Sequence, residues 1–284
     1  MSIVWILHGL DLSNLLLKGQ YENLDSIAEK GCSGICALYE CSEFLSVTPE
    51  LSVKDSCFLQ VSGLSRWNRF QHKERFPSDT IYGLRTAVLT TDESLWKHRN
   101  QVSPFNLFLL TEIEEDSLTQ QLWYNCCQLL CLPYATQTET TASHDLVLIY
   151  LKNIPNQVIL NVANVVTGKL LSIPNEIPFL GVLGFDPRWK KTFEDLLPFR
   201  NDSVSFLPRQ SFQSIDELIL ERHCFEHNTH LWASFYKEGF TRRDKCYRFL
   251  PEECFSLGCN RVILAEHLIY EIAFLQETVP KYGS

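Results

Sequence analysis

Residues 2–36 read SIVWILHGLDLSNLLLKGQYENLDSIAEKGCSGIC, and the fold class follows from them. Ile3 to Leu7 are an unbroken apolar run, closed by His8 and the polar turn HGLDLSN, which is the pattern of a strand buried on both faces. In 23–31, Leu24, Ile27 and Ala28 recur at helical spacing, and Gly31 supplies the stop. CSGICALYE then predicts a second strand. Strand, helix and strand in this order make a βαβ unit, so the chain should be an α/β protein with a largely parallel sheet. The opening apolar segment is only about seven residues long before the polar turn, far short of the roughly 20 that a membrane helix needs.

The same alternation continues downstream. LRTAVLTTD (84–92) and PFNLFLLTE (104–112) predict two further buried strands, and SLTQQLWYNCCQLLCL (117–132) a helix ended by Pro133. ATQTETTASH (135–144) is polar enough for a linker. DLVLIYLK (145–152) predicts a central strand, NQVILNVANVVTGKLL a helix, PFLGVLGFD (178–186) another strand, and LWASFYK (231–237) one more. RVILAEHLIYEIAFLQ (261–276) reads as an amphipathic closing helix with Leu264, Leu268, Ile272 and Leu275 on its core side.

Composition narrows the function. The chain has 284 residues, 45% hydrophobic and 21% charged, which suits one large α/β core without staples. A formal charge of -9 argues against a general binder of nucleic acid or anionic membrane, since both need a cationic surface. The 11 cysteines are odd in number and form no CxxC pair, and the N-terminus does not read as a cleavable signal. They are expected as reduced, mostly buried thiols in the cytoplasm or nucleus. Cys32 and Cys36 fall on one face of the second strand and read as core packing. No P-loop, dinucleotide-binding GxGxxG or GxSxG elbow is present.

Both ends carry a family pattern. WILHGL followed by ENLDSIAEKGCSG resembles the N-terminus of archaeal-type cofactor-independent phosphoglycerate mutases of the alkaline phosphatase superfamily, where a strand ends in Asp-Gly-Leu. GFTRRDKCYRFLPEECFSLGCNRVILAEHLIYEIAFLQETVPKYGS (239–284) resembles the C-terminal pattern of the same family. The resemblance implies a three-layer α/β/α core of alkaline phosphatase-like type. That core would comprise 1–45 and 144–284, with 46–143 as a reduced insert and linker.

It also implies a site, in which two cations activate a Ser or Thr nucleophile and neutralise the transferred phosphoryl group. Against the family pattern, His8 stands where the first metal-ligating Asp belongs. VKDSCFLQVSG (53–63) is the nearest counterpart of the nucleophile segment and keeps Asp55, but it puts Lys54 at the nucleophile. A protonated lysine cannot attack phosphorus. Beside dications it adds repulsion on the order of 4 kcal/mol per unit charge at about 4 Å and an effective dielectric near 20. Asp186 keeps its place, but Pro187 replaces the following His and has no ligand atom. His227 or His230 corresponds to a C-terminal metal histidine; with His223 and Cys224, the pair could alternatively suggest a zinc cluster.

The expected function is therefore a non-catalytic pseudoenzyme, a scaffold or interaction subunit of an intracellular complex, with no catalytic residue, no metal and no cofactor. A metal-dependent phosphatase or mutase with rearranged ligands is the rival reading. A metal-free sensor of a phosphorylated small molecule near Lys54 and His8 is a third. A protein partner is expected, but neither nucleic acid nor membrane insertion. The helix at 117–132 is apolar around most of its circumference, so Leu122, Trp123 and Leu130 are a candidate partner surface.

Overall fold

The computed structural model describes residues 1–39, 56–65, 76–132, 142–173, 178–191, 195, 214–215, 218–219, 230–259 and 261–280. β1 (Ser2–His8) is buried from Ser2 to Leu7 and lies inside the sheet. The elements that follow are α1 (Leu12–Lys18), α2 (Glu22–Lys30), β2 (Cys32–Ala37), α3 (Ser56–Val61), β3 (Thr86–Thr90), α4 (Glu93–Lys97), β4 (Asn106–Leu109) and α5 (Glu115–Leu130). Then come β5 (Leu146–Leu151), α6 (Asn156–Leu171), β6 (Phe179–Phe185), a short hairpin of β7 (Ser214–Ile215) and β8 (Leu218–Ile219), and β9 (Leu231–Tyr236). The chain closes with α7 (Pro251–Leu257), β10 (Arg261–Leu264) and α8 (Leu268–Leu275).

Among the described residues, eight strands make one sheet in the order β10-β2-β9-β6-β1-β5-β3-β4. Every neighbouring pair is parallel except those of β9, which runs antiparallel to both β2 and β6. Alternation along the strands feeds two cores. Ile3, Trp5 and Leu7 face a layer containing α1, α2, α5, α6 and α7. Val4 and Ile6 face the opposite layer, which contains α3, α4 and α8. The architecture is a mixed α/β sheet between two helical layers, as the βαβ reading predicts. No helix among the described residues is long and apolar enough to cross a membrane.

Three expectations change. The segment 46–143 contributes β3 and β4 to the central sheet, so its described part is core rather than a separate insert. β4 is an edge strand with two exposed and two half-buried residues, not a buried one, because among the described residues no strand pairs beyond it. The closing helix divides: RVIL is strand β10, paired with β2 from Arg261↔Gly34 to Leu264↔Ala37, and only Leu268–Leu275 is α-helical. Satisfying the backbone edge of β2 outweighs the helical spacing of the side chains. Leu264 and Leu268, expected on one helical stripe, consequently enter cores on opposite faces of the sheet, and Leu275 is 41% exposed.

Candidate functional site

In a sheet of this kind, ligands are usually taken at the carboxyl ends of the parallel strands. The topology brings His8, Asp186 and His230 to that end. His8 closes β1 opposite Phe185 of β6, and Asp186 follows at once. The antiparallel register Gly184↔Trp232 carries Asp186 opposite His230 at the start of β9. The resemblance thus selects residues that the fold gathers on three adjacent strands. Lys54, Asp55 and His227, with His223 and Cys224, lie outside the described residues.

Asp186 is fully buried, and its carboxylate serves as a structural acceptor. Oδ2 accepts the Ser13 hydroxyl at 2.8 Å and the Ser13 backbone N–H at 3.2 Å, while Oδ1 accepts the Arg188 N–H at 3.0 Å. Ser13 belongs to the first turn of α1, whose own cap residue Asp11 makes no side-chain capping bond. Asp186 therefore satisfies an orphan helix donor from across the sheet. Arg188 extends its guanidinium between Asp11 and Asp186. Burial works against the carboxylate charge, but the bonds from Arg188 and Ser13, with the Arg188 cation, outweigh it and hold the acid below its usual range. Pro187 follows in the turn, half-buried.

His8 is half-buried, with Nδ1 3.1 Å from the Tyr150 hydroxyl and its ring edge-on to Phe185 at 4.7 Å. Tyr150 is itself buried in β5, with its ring tilted against Phe58 at 5.2 Å. Beyond β5, Lys152 lies 3.7 Å from Asp92, whose carboxylate caps α4 through the Ser94 and Leu95 N–H groups. At the other side, His230 is fully buried and its Nδ1 accepts the Leu38 N–H at 3.2 Å, just past the end of β2. Burial pushes its imidazole down to about 4, with the Lys191 backbone partly offsetting this. It is neutral near pH 7. Glu266 is also buried at this end, where it accepts the Tyr39 hydroxyl at 2.7 Å and the Ser65 hydroxyl at 3.1 Å.

His8, Asp186 and His230 are each held by a different neighbour: Tyr150, Ser13 with Arg188, and the Leu38 N–H. The one group of three ligand-type side chains within 4.8 Å of each other among the described residues is Cys32, Asp244 and Cys259, at the amino end of β2 rather than here. Ser13, Arg188, Tyr150 and Lys152 at this end belong to no motif in the sequence. Ser13 lies 173 positions from Asp186, and a turn was expected where α1 begins, so no local signal marked the pair.

The candidate partner surface is corrected. Leu122 and Leu130 are fully buried, and Trp123 packs against the same core with Lys169 of α6 over its ring at 5.6 Å. α5 packs against both α6 and β5, and Asn161 donates to Glu115 at 2.9 Å across the helix pair.

No protein-family model matches the chain, and no curated protein does either. Among solved structures, the PH0037 protein from Pyrococcus horikoshii is similar over 100% of this chain and 98% of its own, with a TM-score of 0.55 and 12% identity. A cofactor-independent phosphoglycerate mutase from Thermoplasma acidophilum is similar over 95% of this chain and 98% of its own, with a TM-score of 0.51 and 10% identity. At this identity the likeness is one of fold: a distant phosphoglycerate mutase-like α/β architecture.

Proposed function

We propose that this chain is a pseudoenzyme, a phosphoglycerate mutase-like scaffold of the alkaline phosphatase type that acts as an interaction subunit of a cytoplasmic or nuclear complex. The observation that carries the reading is the use made of Asp186. A carboxylate that ligates a catalytic cation must present lone pairs to an open site. Here those lone pairs are directed to Ser13 and the Arg188 backbone, and a guanidinium stands beside them. His230 gives its Nδ1 to a backbone N–H, and Pro187 offers no ligand atom. Fold alone does not name a partner.

Native purification of the tagged chain from its own cells tests this. One and the same protein is expected at a stoichiometric ratio through gel filtration. The isolated chain is expected to show no phosphoglycerate mutase or phosphomonoesterase turnover with manganese, and none after Lys54→Ser. A chain that elutes alone would sink the subunit reading. Turnover abolished by Asp186→Asn would establish an enzyme with rearranged ligands instead.

A further inference from the structure

A second constellation lies at the opposite end of the sheet. Cys32 opens β2, and Cys259 sits in the connection from α7 to β10. Because Arg261 pairs with Gly34 in the parallel ladder, two residues back along each strand Cys259 comes to face Cys32. Their Sγ atoms are 3.0 Å apart.

The backbone builds this approach. Asp244 Oδ2 accepts the Ser33 N–H at 2.6 Å and the Cys259 N–H at 3.3 Å, so one carboxylate oxygen ties the residue beside Cys32 to Cys259 itself. The Asp244 N–H donates to the Gly31 carbonyl at 3.1 Å, fixing the clamp to the start of β2. Gly258 completes it: a Cβ there would lie 2.4 Å from the Ser33 carbonyl oxygen and 2.3 Å from that of Cys254. Any side chain at 258 would push the Cys259 loop off the strand.

A metal is the poorer occupant. Asp244 Oδ1 also accepts the Cys246 N–H at 2.9 Å, so both carboxylate oxygens are committed to backbone, and two sulfurs alone fall short of a tetrahedral zinc site. A disulfide requires only that the sulfurs close by about 1 Å.

We propose that Cys32 and Cys259 are a thiol pair built to be oxidised to a disulfide by a small disulfide such as oxidised glutathione. Cys259 is exposed and Cys32 is 7% exposed, which sets the order of events. The Cys259 thiolate attacks one sulfur of glutathione disulfide and a glutathione thiolate leaves. The Cys32 thiolate then attacks the Cys259 sulfur and expels the second glutathione. Two protons leave the protein, its two thiols lose two electrons, and the oxidant is reduced to two glutathione thiols. Burial pushes the Cys36 thiol up to about 12 and the Cys127 thiol up to about 11, so those two stay protonated and unreactive. The bond staples edge strand β10 to β2. It also fixes one wall of a cavity of about 550 Å³ lined by both cysteines with Phe235, Ile263, Leu268 and Ile272.

The full chain is incubated with oxidised glutathione, its remaining thiols are alkylated, and the digest is read by mass spectrometry. A peptide linked through Cys32 and Cys259 is expected, with a melting temperature roughly 5 °C or more above that of the reduced chain. Cys259→Ser should abolish both effects, and Cys32→Ser should leave Cys259 as a lasting glutathione adduct. Full alkylation of both cysteines after treatment, or a glutathione adduct on Cys259 that persists in the unmodified sequence, would overturn the proposal.

Discussion

His230 shows how a residue selected for its chemistry can be held by its surroundings. Its Nδ1 accepts the Leu38 N–H, and burial depresses its imidazole from the ordinary 6.5 to about 4. Between those two values the unfolded chain binds a proton that the folded chain does not. Stability is therefore fully present above pH 6.5 and falls as the pH drops toward 4, by about 1.4 kcal/mol per unit at most. His230→Gln keeps an acceptor for Leu38 without titrating. Urea titrations across this range should show the pH slope of the variant shallower by about one proton; parallel curves for the two proteins would mean that His230 is charged in the fold. Asp186 is held in the same manner by Ser13 and Arg188. That role was not legible in the sequence, which shows a carboxylate and its place in a motif but not the donors that reach it from 173 positions away.

At the scale of elements, period and length told true where a segment packs in the way its own pattern suggests. NQVILNVANVVTGKLL is helix α6 and DLVLIYLK contains β5, each within a residue or two of expectation. α1 went unread because its start is capped from another strand rather than by its own sequence. RVIL fits either period, because three apolar residues before a helix carry too short a pattern, and the open edge of β2 decides between them. This division sets a prediction. Leu268 is 2% exposed beneath the sheet, whereas Leu275 is 41% exposed at the helix end. Leu268→Ala should cost about 2 to 5 kcal/mol in a denaturant titration, and Leu275→Ala under about 0.5. Equal losses would mean that the helix runs on to a buried Leu275, as its spacing alone implies. The same lesson applies to α5, where apolar stripes that suggest a partner pack into the chain's own core against α6 and β5.

For the whole molecule, the two ends of the chain and the βαβ order were enough to name an α/β sandwich, because β1 and β2 of one end and β10 of the other lie in one sheet. The membership of β3 and β4 was harder to read, since the middle segment carries no matching motif and sheet order is set by distant partners. The gathering of His8, Asp186 and His230 at one sheet end was legible through the resemblance, but their hydrogen bonding was not. The central claim is that these residues hold the fold rather than a cation pair. Equilibrium dialysis of the purified chain against manganese, an oxygen-preferring cation, with metal and protein quantified together, tests this most directly. The account predicts well under one equivalent bound, with the same value for Asp186→Asn. Two equivalents bound by the unmodified chain and lost in Asp186→Asn would contradict it.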